Sequence, residues 1–411
     1  MRGLGKAARV MFAINLAFSL GMGLYMFIMA AYARELGATP AQFGAVASAA
    51  SAIGVLAVIP GGAWADRYDP RRLMKLSWAM CLPAPLIYAW APSWQWLIPG
   101  YFLIFASFFA NPAINVYITR SVPHDRLGAT WGVINSAFPL GTIIGPSAGA
   151  LIIRGFGMPG LFLCTFACYV ASFLFLFALP PSGGPGLGHA ETAAPAPEAD
   201  AGDGGAPSLV GRTVTLPVGP PPRSVIRTIL PVFLVFGTFA ALANAANYVS
   251  LYLQDTQGLA LSSLGWFGSA ASIGGFICAP LIGRLRDKRG GHVALPVTLL
   301  LATAAYGGLL LLRTPVLLFG ALVLRGGESG AFALSNTEVA ARAPREGMGR
   351  IFAAFGVVTG IGGTIGPYLG GLLYGLNIKL PFLVVIAGYI GLAAVARLTL
   401  RPLATPRSRA V

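Results

Sequence analysis

Residues 52–72 read AIGVLAVIPGGAWADRYDPRR. An apolar stretch of helical length ends on glycines and then breaks into an aspartate among arginines. At a constant offset of 221 the chain does this again, with residues 273–293 reading IGGFICAPLIGRLRDKRGGHV. Gly62 and Asp66 thereby pair with Gly283 and Asp287, and Gly54 with Gly275. The same offset carries Gly37, Gly44 and Ser51 onto Gly258, Gly265 and Ser272. It also carries Asn115, Pro123 and Gly128 onto Asn336, Pro344 and Gly349, and Gly141, Gly145, Pro146 and Gly149 onto Gly362, Gly366, Pro367 and Gly370. Matching aspartate, asparagine and proline positions at one gapless offset mark an internal duplication.

Outward from this pair the chain is apolar almost everywhere. Hydrophobic residues make up 56% of its 411 residues and charged residues 10%, with a mean hydropathy of +0.74. Soluble chains carry roughly 25% charge, so this composition needs lipid as solvent. Apolar runs bounded by charges, proline or glycine fall at roughly 10–33, 41–65, 73–92, 94–119, 127–153 and 158–180. Six more fall at roughly 226–253, 260–283, 293–312, 315–341, 350–376 and 380–400; each meets the requirement of about 20 residues for a membrane-spanning helix. The first run follows Arg2, Lys6 and Arg9 and includes Ala31-Tyr32-Ala33, which could serve as a cleavage site. It exceeds the about 7–15 residues of a secretory core, however, and reads as a retained span.

The expected architecture is all-α and polytopic. Residues 1–180 form one six-helix bundle and residues 226–411 another, joined by a disordered cytoplasmic linker at 181–225 that is rich in glycine, proline and alanine and lacks apolar periodicity. An even offset of six spans makes the repeats parallel, related by an axis along the membrane normal, with a cavity between them near the midplane. With the amino terminus inside, 23 of the 28 lysines and arginines fall in inside segments. Outside loops keep only Arg34, Arg154, Arg313 and Lys379. This asymmetry places both termini in the cytoplasm. Arginine outnumbers lysine 24 to 4, a bias of GC-rich genomes that points to a bacterial inner membrane. The net charge of +15 belongs to these loops and to anionic headgroups, not to nucleic acid.

With these residues in view, the chain resembles the major facilitator superfamily over essentially its whole length outside the linker. The loop Gly62–Arg72 is similar to the family's G-x-x-x-D-R-x-G-R-R, with Asp69-Pro70 where the family has glycine. The resemblance implies a cytoplasmic gate at Gly62, Asp66, Arg67 and Arg71, repeated at Gly283, Asp287 and Lys288. Glycine lets helix ends approach, and an aspartate can accept hydrogen bonds from a helix N-terminus; plain positive-inside charge is the other reading. Run 5 holds Gly132, Gly141, Gly145, Pro146 and Gly149, which resembles the antiporter motif G-x8-G-x3-G-P-x2-G-G with Ala150 in the last place. In the family this motif goes with proton-coupled drug and metabolite exporters; small-residue packing with a proline kink is the alternative.

The polar residues inside the runs are the candidates for function. Of eight asparagines, Asn15, Asn111, Asn115, Asn244, Asn247 and Asn336 lie in runs 1, 4, 7 and 10, which line the pathway in the resembled family. Asn111 and Asn115 share a helix face, as do Asn244 and Tyr248, and Tyr25 and Tyr101 add aromatic walls to the expected substrate cavity. Run 10 carries Arg325 about ten residues past Pro315, near 15 Å deep at about 1.5 Å per residue, with Glu328 on the same face. An unpaired charge there costs about 2.5–3.5 kcal/mol or more. Burial disfavours an ionised Glu328 while the arginine favours it, so the pair can exchange a proton as water access alternates. A static ion pair, or an arginine that binds a charged substrate, remains open beside that role. Proton-coupled sugar-carrying members of the resembled family also place a glutamate in helix 10 near an arginine. Glu338, four residues before Arg342, reads as a surface pair.

No metal-spaced cluster, nucleophile-and-base set or phosphate-binding loop is legible, so no enzyme, catalytic residue, metal or cofactor is expected. Cys81, Cys164, Cys168 and Cys278 read as small core residues, and His124, His189 and His292 fall in cytoplasmic segments. The expected function is a monomeric secondary active transporter working by alternating access, with protons, a small molecule and membrane lipids as partners. Proton-driven export leads; proton-linked uptake of a polar solute and lipid or lysolipid translocation are the alternatives.

Overall fold

A computed structural model describes residues 5–122, 127–181, 223–343 and 348–400. The body of the expected linker, the Pro123–Pro344 pair, His124, His189 and the side chain of Asp66 lie outside the described residues. Ten described stretches are long and apolar enough to cross a membrane. One of them, Thr130–Ala178, runs for 49 residues, about 74 Å at about 1.5 Å per residue. That is more than twice a hydrocarbon core of about 30 Å. It reverses at Gly157, whose φ of 66° and ψ of −170° interrupt the helix, so it supplies crossings 5 and 6. Crossing 3 is split at Leu82-Pro83 into two short helices. Twelve crossings result, as the apolar runs imply, and the described residues form an all-α polytopic membrane fold.

In chain order the helices are α1 (Lys6–Met26), α2 (Met29–Glu35), α3 (Pro40–Arg67), α4 (Pro70–Cys81), α5 (Pro83–Ala89), α6 (Leu97–Ala106), α7 (Asn111–Ser121) and α8 (Leu127–Phe175). The second half has α9 (Arg223–Ala245), α10 (Val249–Gln257), α11 (Leu261–Arg289), α12 (Gly291–Leu311), α13 (Pro315–Leu324), α14 (Gly327–Arg342), α15 (Met348–Leu376) and α16 (Leu380–Thr399). Crossings 1, 4, 7 and 10 are all interrupted. The interruptions fall at Phe27-Ile28, at the 3-10 turn Ser107–Ala110, at Ala246–Tyr248 and at Arg325-Gly326. Broken backbone at membrane depth is tolerated where it faces protein or a water-filled space, and crossings 1, 4, 7 and 10 each supply residues that line the central cavity. Large apolar side chains such as Leu311, Val316 and Leu376 stand exposed on the outside, as lipid-facing positions do.

Among the described residues, the polar ties between the two halves lie toward one face. Call the face bearing Lys6 and Thr399 terminal, and the opposite one distal. At the distal face Arg34 pairs with Asp255, residues one repeat offset apart that meet across the pseudo-twofold axis. Asp255 also accepts from the Tyr374 hydroxyl at 2.7 Å, and Gln254 donates to Glu35 at 3.2 Å. Gly44 of α3 abuts Pro367, and Gly265 of α11 abuts Pro146; a side chain at either position would strike the backbone of the other half. Toward the terminal ends of the same two helices, a Cβ added at Gly62 or Gly283 would meet nothing within 4 Å. The halves close distally and part toward the terminal face.

A swapped pair of serines joins them. Pro146 has no N–H, which loosens crossing 5 there. The Ser269 hydroxyl enters the gap, accepting from Ser147 N at 3.0 Å and donating to the Ile143 carbonyl at 2.7 Å. One offset away, Ser48 of α3 accepts from Tyr368 N, beside Pro367, at 2.9 Å. Each net hydrogen bond is worth about 0.5–1.5 kcal/mol. The double variant Ser48→Ala/Ser269→Ala should therefore shift the equilibrium toward distal opening by roughly tenfold or more. Spin labels at Ser93→Cys and Lys379→Cys, with the native cysteines replaced, should report a longer distal distance; an unchanged distance distribution would contradict the latch.

Candidate functional site

Crossing 10 sets up the site. Proline at the first position starts α13, and the helix stops after Leu324, where Gly326 lies against the backbone of Gly274 in α11. Only a residue without Cβ fits that approach. The chain resumes at Gly327, which puts Glu328 in the first turn of α14, where the helix dipole favours negative charge. Arg325 caps the end of α13, three residues earlier.

Glu328 is only 8% exposed, and every polar contact it makes is with a donor. The Arg325 Nε–H donates to Oε2 at 3.1 Å, while the Tyr306 and Tyr389 hydroxyls donate to Oε1 at 2.6 and 2.7 Å. Arg325 Nε also donates to the Tyr306 hydroxyl at 3.0 Å, and Nη2 to Asn247 Oδ1 at 3.2 Å. Asn247 sits within the interruption in crossing 7 and donates to Asn244 Oδ1 at 3.3 Å; Asn244 in turn donates to the Ala240 carbonyl at 2.8 Å. The network thus ties the break in crossing 10 to the break in crossing 7. It consists of the donors an ionised carboxylate needs.

Arg325 and Glu328 face a cavity of about 420 Å³ between the two halves. Tyr101, Asn244, Asn247 and Tyr248 also line it. Tyr248 spans the halves, its hydroxyl donating to the Pro367 carbonyl at 2.7 Å and lying 3.3 Å from the Pro40 carbonyl. Tyr25 instead turns into the first bundle, with its hydroxyl 3.2 Å from that of Tyr169 and its ring against Tyr88 and Phe162. Asn15 is half-buried and Asn111, Asn115 and Asn336 are exposed; none of the four is among the cavity-lining residues. The phenols of Tyr306 and Tyr389 were not singled out by sequence reasoning. Each lies in an outer, otherwise apolar run, where a buried hydroxyl needs a partner, and that need was the available signal.

The repeat is broken where the charge sits. One offset before Glu328 stands Ser107, and one before Arg325 stands Ile104; the Ser107 hydroxyl donates to the Ile104 carbonyl at 2.6 Å and accepts from the Cys81 thiol at 3.1 Å. Only the second half carries the ion pair.

At the terminal face, Asp69 in the first loop caps α4, accepting from Arg71 N at 3.0 Å and pairing with its guanidinium at 3.1 Å. Burial pushes the Asp69 carboxyl up, but the hydrogen bonds from Arg71 and the charges of Arg71 and Arg72 outweigh it and hold it below the usual carboxylate range. The residue standing at the family's glycine is therefore a helix cap. Arg67 is exposed, and Lys288 and Asp287 are too, the last at 73% of its side chain. Glu338 is not on the surface: it is 2% exposed and clamped by Arg342 and by Arg286 of α11, the latter at 2.9 Å. In crossing 5, Gly141, Gly145 and Gly149 press on Ser19, Gly23 and Leu24 of α1, Pro146 faces α11, and Gly132 faces open space.

The family model described as Major Facilitator Superfamily matches residues 11–366. A protein of Lactococcus lactis named as a homolog of the multi-drug resistance efflux pump PmrA is 26% identical over 302 residues, covering 70% of this chain and 67% of the relative. The multidrug resistance protein MdtG of Salmonella dublin is 26% identical over 284 residues, covering 67% and 64%. The aligned stretch thus spans about two thirds of either relative. A POT family transporter, solved in complex with a thioalcohol conjugated peptide, superposes with a TM-score of 0.73 at 14% identity over 96% of each chain; at that identity the likeness speaks for the fold alone.

Proposed function

The chain belongs to the Major Facilitator Superfamily, and from that membership we propose that it exports a small organic molecule in exchange for protons, with Glu328 as the proton site. The observation that carries the reading is the ion pair on the cavity wall, held at two helix breaks and absent from the other repeat. With Glu328 ionised, Arg325 is held between Glu328, Tyr306 and Asn247, so the polar wall is ordered for a ligand. A proton on Glu328 removes the charge that orients Arg325, and the tie from crossing 10 to crossing 7 loosens. Proton and ligand then favour opposite states of the same wall, which is the condition for exchange. We take the terminal face, which carries the basic loops, as the cytoplasmic one; on that reading the structure is the state that loads from inside. The efflux-pump names of the relatives support the direction.

The test is flux in proteoliposomes across an imposed pH gradient, with a panel of fluorescent drugs as cargo. Exchange requires cargo to move against the proton flow. Cargo that moves with the protons would replace export by proton-linked uptake, and cargo insensitive to the gradient would remove Glu328 from coupling altogether.

A further inference from the structure

We infer that the cavity recognises an uncharged, acceptor-bearing aromatic molecule, with a carbonyl or amide oxygen directed at Arg325. This rests on the reading of the cavity as the transport site. Arginine has five N–H groups. Here Nε–H is shared by Glu328 and Tyr306, and one Nη2–H goes to Asn247. Both Nη1 hydrogens and the second on Nη2 have no partner among the described residues.

The amides beyond Arg325 run the same way. Asn247 Oδ1 accepts from Arg325 and Asn244 Oδ1 from Asn247, so each side-chain carbonyl is already engaged while each amide nitrogen keeps a second N–H. Both carboxylate oxygens of Glu328 are engaged as well. The polar wall therefore offers donors in surplus. The hydroxyls of Ser51, Ser272 and Ser329 can serve either part.

Charge narrows the class further. Among the described residues, Arg325 and Glu328 are the only charged ones in the lining, so the wall is neutral overall. An ammonium would meet only serine hydroxyls and carbonyls already engaged by a donor, and would leave the surplus N–H groups unpaired, and a carboxylate would leave a net charge in the cavity when the halves close over it. Opposite the polar wall, the first half presents Met26, Phe27, Phe43, Tyr101 and Phe105. These are surfaces for a ring, and none carries a charge.

Equilibrium binding to the purified full chain, followed by thermal stabilisation, tests this with ring-matched series: 2-naphthamide, 2-naphthoate and 2-naphthylmethylammonium, and the same three head groups on a biphenyl. The amide should bind about tenfold or more tighter than the amine, because the amine leaves the donors unpaired, and tighter than the carboxylate. Asn247→Asp adds an acceptor and a negative charge to the wall, so it should reverse the order of amide and amine. Tightest binding by the amine or the carboxylate, no binding by either amide, or an order unmoved in Asn247→Asp would each overturn the inference. The ranking is read without a gradient, so loss of proton-driven flux with the ranking intact would count against the exchange reading alone.

Discussion

Glu328→Gln should abolish accumulation driven by a pH gradient while binding and downhill exchange persist. Glutamine keeps the shape and one carbonyl acceptor for the Tyr306 and Tyr389 hydroxyls, and Arg325 keeps Tyr306 and Asn247 as acceptors, so the protein should fold. What it lacks is a proton to give up. Arg325→Met is the informative contrast. It strands the carboxylate of Glu328 in a site where only 8% of the residue is exposed, and breaking a buried pair from one side costs about 3–5 kcal/mol. Arg325→Met should therefore fail mainly in stability, and Arg325→Met/Glu328→Gln should recover much of that stability without recovering coupling. Melting temperature and flux, measured side by side, separate the two effects. Uphill transport at an undiminished rate in Glu328→Gln would refute the proton site.

Gly145→Val should leave little folded protein, whereas Gly132→Ala, in the same motif, should be tolerated. A Cβ at Gly145 would lie 2.7 Å from the Cα of Gly23, with backbone on both sides and no flexible side chain to yield. Overpacking of this kind costs about 1–3 kcal/mol and sometimes more, and here it would drive crossings 1 and 5 apart. Gly132 has nothing within 4 Å, and alanine in a helix is worth about 0.5–1 kcal/mol over glycine. Folded yield by size-exclusion chromatography and melting temperature check the contrast. Equal losses at the two positions would mean that the contact of crossings 1 and 5 is not what requires glycine in this motif.

Much of the site was legible one residue at a time. The cost of charge at membrane depth singles out Arg325 and Glu328, and the structure brings them within 3.1 Å on the cavity wall. Scarcity singles out the asparagines, but only Asn244 and Asn247 line the cavity. Amphipathic spacing says which residues share a helix face, not which way that face turns. Tyr306 and Tyr389 escaped because a tyrosine in an apolar run is ordinary until its neighbours are known. Glu338 misled for a related reason: its pairing with Arg342 is local and readable, whereas the clamp from Arg286 comes from another helix.

The linear order of residues alone determined the solvent, the number of crossings and the duplication, because hydropathy and repeat spacing are properties of the chain itself. Three-dimensional packing alone decided where crossings 1, 4, 7 and 10 break, that the halves meet distally, and that Ser48 and Ser269 each enter a helix of the opposite half. Those features depend on atoms far apart in the chain coming into contact, and proline or glycine at a position permits such a contact without naming its partner.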